Sequence, residues 1–368
     1  MPKLRVLVVD DAVVVRRLVS DALNADPDFE VCGTASNGKL ALDLLTQLSP
    51  DAVTLDVEMP ELDGLSTLKE LRKSWPRLPV VMLSALTEKG ASVTLDCLSA
   101  GASGYVTKPT GVGGMAAAVE RVRDELAPML KALCQRRTTA VGQASGVAAA
   151  LAARATARRP RAADSVRATA EIVAIGVSTG GPNALAEVIP ALPATLGVPV
   201  VVVQHMPPVF TRLLAERLAS KSQLPVKEAM DGEALQPNQV YIAPGDFHMT
   251  LRRDGAVFRI ALDQEPPVNS CRPAVDPLFR SLAAQFGKKC LGVVLTGMGK
   301  DGLRGCEELR EQGAQILAQD EETSVVWGMP GFVAREGLAD EVLPLSRIAA
   351  EIVRRIAPRA NRLVGVKQ

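Results

Sequence analysis

Short runs of β-branched and other apolar residues repeatedly stop on a polar side chain and give way to helical patterns along this chain. "LRVLVV" runs into Asp10 and Asp11, "AVTL" into Asp56 and "PVVML" into Ser84. Later, "EIVAIGV" runs into Ser178 and "VPVVVVQ" into His205. Apolar runs of this length, alternating with helical patterns, specify parallel strands covered on both faces by helices. Ligands of such open sheets gather at the carboxyl ends of the strands. The residues that end these runs are therefore the first place to look for chemistry.

The alternation occurs in two blocks, as a length of 368 residues leads one to expect. Between them the chain turns to Ala and Arg with almost no acid, as in "QRRTTAVGQASGVAAALAARATARRPRAADSVRATA". That stretch holds too little bulky apolar surface to offset its ordering entropy and reads as a linker. The expected division is a domain over 1–125, a linker over 126–170 and a second domain over 171–360. The first block shows five strands, ending with "FEVCGTA" and "GYVT" among them. The second is α/β and mostly parallel, with an antiparallel hairpin expected in "DFHMTLRRDGAVFRI", where Asp254-Gly255 signals the turn.

Composition narrows the partners. A net charge of +1 and 3% aromatic residues argue against a nucleic-acid or membrane surface as the main partner. The six cysteines are scattered without a C-x-x-C pair, which suits reduced thiols in the cytoplasm rather than a zinc site. The longest apolar runs are far too short to cross a bilayer.

In the first block, strand ends bring Asp10, Asp11, Asp56, Ser84 and Lys108 to one edge. Crowded carboxylates repel unless a hard cation joins them, and Mg²⁺ suits a few carboxylates with retained waters. A carboxylate can also accept a phosphoryl group, whose oxygens a cation, a hydroxyl and a lysine would neutralise. Residues 4 to about 125 resemble the response-regulator receiver family. The resemblance implies a flavodoxin-like five-stranded parallel sheet, with Asp56 in "LDVEMPELDG" as phosphoacceptor and Asp10, Asp11 and Asp56 holding Mg²⁺. It makes Ser84, Tyr105 and Lys108, the last in "YVTKP", the switch residues. Ala12 stands where a small hydroxyl often follows the acidic pair.

In the second block, Ser178, His205 and Asp301 come from three strand ends. A hydroxyl, an imidazole and a carboxylate so placed suit a serine hydrolase, in which His takes the serine proton and Asp holds the imidazole. Gly180 and Gly181 then allow close backbone approach and open a helix whose N–H groups can meet developing negative charge. Alternatives exist. "GVSTG" also fits the G-x-S-x-G elbow, which would require His248 as base with Asp231 or Asp246. A dinucleotide loop is weakened by Ser178 at the second glycine position, and no G-K-[ST] follows. A helix-capping Asp301 and a satisfied His205 are the ordinary structural readings of either residue alone.

The stretches "IGVSTGGPNAL", "VVVQHMPPVFTRLLAERL", "VYIAPGDFHMTL", "DPLFRSLA", "LTGMGKDG" and "GMPGFVAREGLADEVLPL" resemble the chemotaxis protein-glutamate methylesterase family, from about 171 to 357. Phe247 departs from a common histidine. The resemblance implies Ser178 as nucleophile, His205 as base, Asp301 as its orienting acid, and Thr179, Gly180 and Met298 as supporting or oxyanion positions. It implies hydrolysis of glutamate methyl esters, and deamidation of glutamines, on chemoreceptor cytoplasmic helices, with no cofactor at the esterase site. It further implies a chemotaxis histidine kinase as phosphodonor and a receiver that covers the serine until phosphorylated. Related domains also serve other signalling pathways. A DNA-binding regulator is the contrasting class, but no basic recognition helix ends the chain.

Overall fold

The computed structural model of the chain describes residues 2–108, 119–120, 122–142 and 169–356. Most of the expected linker, residues 143–168, lies outside them.

The first domain runs β1 (Leu4–Val9), α1 (Val13–Asn24), β2 (Phe29–Ala35), α2 (Gly38–Leu48), β3 (Ala52–Asp56), α3 (Gly64–Ser74), β4 (Val80–Ser84), α4 (Glu88–Ser99) and β5 (Gly104–Thr107). Its strands pair in parallel, in the order β2-β1-β3-β4-β5, as the alternation predicts. β3 and β4 are buried along their whole length, which explains their continuous apolar sequence. Asn37, Asp63 and Thr87 start α2, α3 and α4 by accepting a hydrogen bond from a backbone N–H of the first turn.

A π-helical turn (Val122–Leu126) then leads into α5 (Ala127–Gly142). Leu126, Leu130 and Leu133 are buried against Val6 and Val8. The helix thus continues to pack on the first domain beyond residue 126, where the change in composition puts the linker. Apolar residues at helical spacing, not the overall Ala and Arg content, decide that packing.

The second domain contains β6 (Ile172–Val177), α6 (Gly181–Val188), β7 (Val200–Gln204), α7 (Phe210–Ala219), β8 (Val226–Glu228) and β9 (Val240–Ile242). The hairpin β10 (His248–Asp254) and β11 (Val257–Asp263) follows. Then come α8 (Val275–Phe286), β12 (Cys290–Val294), α9 (Leu303–Glu311), β13 (Gln315–Gln319), α10 (Met329–Arg335), β14 (Glu341–Leu343) and α11 (Leu345–Ile356). Seven strands form one parallel sheet, in the order β14-β13-β12-β6-β7-β9-β8. β10 and β11 pair antiparallel, closing between Asp254 and Val257 as the turn signal predicts. The chain leaves β6 toward β7 on one side and returns at β12 on the other, so β6 ends at a topological switch point.

The two domains share an apolar cluster that joins Leu95 and Leu98 of α4 to Phe210 and Leu214 of α7. Polar contacts ring it: Arg217 pairs with Asp96 at 2.8 Å, and Asn183 donates to the Leu98 carbonyl at 2.8 Å. No helix among the described residues is long and apolar enough to cross a membrane.

Candidate functional site

The first cluster forms where β1 and β3 end. Asp10 and Asp56 are buried and Asp11 is exposed, and all three present oxygens within 4.8 Å of one another. Lys108 Nζ lies 3.0 Å from Asp10 Oδ2 and 2.7 Å from Asp56 Oδ2. Burial raises the Asp56 pKa to about 6, reinforced by Asp10 and opposed by Lys108. Burial likewise raises Asp10 against the pull of Lys108. One ammonium therefore faces more negative charge than it neutralises. An all-oxygen set of this size, open on the Asp11 side, fits a hard divalent cation such as Mg²⁺. Ser84 is buried at the end of β4, but its hydroxyl donates to the Ala85 carbonyl at 3.2 Å and accepts from Thr94 Oγ1 at 2.6 Å. Its engagement with Thr94 depends on a contact between β4 and α4 that sequence spacing does not reveal.

Tyr105, the remaining residue of the group, points away from these carboxylates. Its ring stacks on Phe210 of the second domain and lines a cavity of about 630 Å³ between the domains. Ser178, Thr179, Gly180, His205 and Met298 line the same cavity.

Ser178 and His205 meet because β6 and β7 are neighbours in register. Val177 pairs with Gln204, so the next residue on each strand stands opposite the other. Gln204 ties the two strand ends together, its side-chain amide donating to the Ser178 carbonyl at 3.0 Å and the His205 carbonyl at 3.1 Å. After Ser178 the chain turns through Gly180, which has φ +80°. A Cβ there would also fall 2.6 Å from Val325 Cβ, so glycine is required on both counts. Among the described residues, no acceptor takes up the Thr179 or Gly180 N–H, which leaves both donors beside Ser178.

Asp301, in the loop after β12, reaches His205: its Oδ2 lies 2.8 Å from His205 Nε2. Burial opposes a charged imidazole, but hydrogen bonds to Asp301 and Cys271 outweigh it and raise the His205 pKa to about 10. Burial also works against ionised Asp301, yet His205 and the Val275 N–H hold its pKa below the ordinary value. Both shifts favour an imidazolium against a carboxylate at rest, so Nδ1 must lose its proton before His205 can act as a base.

Ser178 stands apart from this pair in one respect. Among the described residues no hydrogen bond joins its hydroxyl to His205, because Nε2 serves Asp301 and Nδ1 faces Cys271 Sγ at 3.5 Å. Cys271, Asn269 and Gln204 are site residues that sequence reasoning missed. Gln204 could have been noticed as the polar residue preceding His205. The other two sit in a turn with no periodicity to mark them.

The competing arrangement fails on geometry. His248 is buried, with Nδ1 accepting from the Ala274 N–H and Nε2 against the Pro266 carbonyl. Asp231 accepts from the Leu262 N–H, and Asp246 pairs with Arg272. His248 is thus a satisfied core histidine, and neither acid reaches it.

Comparison with known proteins agrees with this architecture. Residues 6–120 match the response regulator receiver domain, and residues 173–352 match CheB methylesterase. A protein-glutamate methylesterase/protein-glutamine glutaminase of Trichodesmium erythraeum is 49% identical over 97% of this chain and 100% of its own. The chain belongs to the CheB methylesterase family. Another family member, from a Nocardioides species and of the same name, is 50% identical over 99% of this chain and 98% of its own. The crystal structure of the Thermotoga maritima CheB methylesterase catalytic domain, 48% identical, covers 51% of this chain and 99% of its own with a TM-score of 0.50.

Proposed function

We propose that this chain is a phosphorylation-regulated serine hydrolase that removes methyl groups from glutamate methyl esters on chemoreceptor cytoplasmic helices and deamidates glutamines there. The observation that carries the reading is the meeting of Ser178, held at the end of β6, with a His205–Asp301 pair at the end of β7. Ser178 Oγ attacks the side-chain carbonyl carbon of the substrate. Because Nε2 is committed to Asp301, Nδ1 is the nitrogen left to take the serine proton, and the imidazole must release Cys271 to do so. The N–H groups of Thr179 and Gly180 receive the developing oxyanion, with Met298 lining the same cavity. The proton held on His205 passes to the departing methoxide or amide, giving methanol or ammonia and an acyl-enzyme. A water then repeats the sequence and frees the glutamate.

The first domain supplies regulation. Asp56 accepts a phosphoryl group from a histidine kinase, and Asp10, Asp11 and Asp56 would hold Mg²⁺. The bound cation would offset charge on the phosphoryl oxygens. Lys108, 2.7 Å from Asp56, pairs with one of those oxygens, and Ser84 turns from the Ala85 carbonyl toward another. Movement at Ser84 and Tyr105 loosens the cover over Ser178, so phosphorylation favours the open arrangement. The enzyme acts in the cytoplasm, where the receptor helices lie.

Incubating the full chain with a methylated receptor cytoplasmic fragment, with and without Mg²⁺ and a small-molecule phosphodonor, tests this directly. Methanol release that rises on phosphorylation is expected. Absence of methanol under both conditions, with the chain folded, rejects the assignment.

A further inference from the structure

Between β11 and α8 the chain makes a tight turn. Val268 and Cys271 exchange both backbone hydrogen bonds, and the two residues between them, Asn269 and Ser270, have φ of +51° and +63°. Two successive positive φ values define a type I′ turn, whose second position normally wants glycine. Serine in that position carries a backbone cost of order 1 kcal/mol. The turn uses this conformation to aim Asn269 inward.

Asn269 Nδ2 lies 2.9 Å from Asp301 Oδ1 and 2.9 Å from Asp276 Oδ2. Both partners are carboxylate oxygens, so only the NH₂ end of the amide can face them, one hydrogen to each. The two acids are almost wholly buried, at 1% and 2% exposure. They repel across a short gap, and no cation lies between them among the described residues. Asp276 receives a backbone bond from Gly305, and Asp301 receives bonds from Val275, Asp276 and Gly302. Asn269 is the one side chain, among the described residues, that donates to both.

We infer that Asn269 is a positioning residue for the hydrolytic reaction: its amide clamps Asp301 between His205 and Asp276 and keeps the carboxylate aimed at the imidazole. Asn269 lines the Ser178 cavity, but its amide nitrogen is committed to Asp276 and Asp301, and it acts through Asp301. This rests on the proposed role of the Ser178–His205–Asp301 group. Without the amide, Asp301 Oδ1 faces Asp276 unscreened. The cheapest relief is for the cluster to take up a proton, which weakens the hold on His205. The groups facing Asp301 are His205, Asp276 and the thiol of Cys306, with Cys271 behind the imidazole. Burial, reinforced by Asp301, already raises the Asp276 pKa, so this acid is the natural place for that proton to go.

The test compares the full chain with Asn269→Ala, Asn269→Asp and the exchange Asn269→Asp/Asp276→Asn. The readouts are kcat and KM on a glutamate methyl ester, and the pH dependence of Ser178 labelling by a fluorophosphonate. Asn269→Ala should lower kcat about 10²-fold, at the low end of the cost of misdirecting a general base, while KM stays within about twofold. The acid limb of the labelling profile, set by loss of the His205 proton, should move to lower pH, because a cluster that has taken up a proton holds the imidazolium less tightly. Asn269→Asp should be worse, and the exchange should recover at least about tenfold, since it restores one amide and one acid beside Asp301. An acid limb that stays in place in a folded Asn269→Ala chain overturns the inference even if kcat falls. If that variant does not fold, an exchange no better than Asn269→Asp alone overturns it. Failure of the unsubstituted chain to be labelled at Ser178 would instead overturn the assignment of the nucleophile.

Discussion

The rings of Tyr105 and Phe210, one from each domain, lie 4.9 Å apart between centroids and 6° from parallel. Tyr105 belongs to β5, the strand that leads to Lys108, while Phe210 opens α7 just after the loop carrying His205. A rearrangement around Asp56 and Lys108 therefore has a short covalent path to the wall of the Ser178 cavity. Such a stack contributes about 0.5–1.5 kcal/mol beyond the area it buries. Tyr105→Ala should accordingly raise the activity of the unphosphorylated chain about 2- to 10-fold and reduce the further gain on phosphorylation. Methanol release from a receptor fragment, with and without a phosphodonor, checks both.

Ser178→Ala should abolish both methanol release and fluorophosphonate labelling, lowering kcat by at least about 10⁴-fold without a change in melting temperature. Ser178 makes no side-chain hydrogen bond among the described residues, so its removal costs the fold little. Turnover retained in the variant would count against the nucleophile assignment.

The His205–Asp301 pair sets a pH dependence of known sign. The folded pKa of about 10 lies above the ordinary 6.5, so the pair's contribution to stability is complete below pH 6.5 and is lost as pH rises through 10. His205→Gln should therefore destabilise the chain by an amount on the order of 1–3 kcal/mol at pH 6.5, and by less at pH 10. Thermal unfolding at the two pH values gives the difference. Because the base must be neutral to accept a proton, labelling of Ser178 in the unphosphorylated chain should keep climbing above neutral pH.

Removing divalent cations should separate the two sites. Chelation should abolish phosphorylation of Asp56, as should Asp11→Asn in large part, whereas the basal labelling of Ser178 should be unchanged. The acidic cluster lies at the end of β1 and β3, and none of its members lines the Ser178 cavity. A phosphorylation assay and a labelling assay on the same sample decide the point.

How far could the sequence be read? Strand-end residues were legible because a parallel strand buried on both faces must be apolar along its length, so Asp56, Ser178 and His205 stand out where the pattern breaks. Asp301 was less directly legible, since it stands in the loop just before α9 and not at the end of β12 itself. The hairpin at Asp254-Gly255 was legible because turn chemistry is local. The role of Asn269 and Cys271 was hidden, since it depends on a two-residue turn being folded against strand ends more than thirty positions away on either side. The missing Ser178–His205 hydrogen bond has the same origin: the sequence shows which groups converge, not that a thiol would stand at Nδ1. The extent of α5 was obscured by averaging over Ala and Arg, which masks the three leucines that pack.

The chamber over Ser178 is walled by both halves of the molecule, with Tyr105 and Met129 on one side and His205 and Arg272 on the other. A small compound shaped to it would be gripped by two bodies at once and would behave as a glue. Its binding should weaken on phosphorylation, so such a compound would trap the resting enzyme instead of competing with its target, and receptor concentration would do little to relieve it.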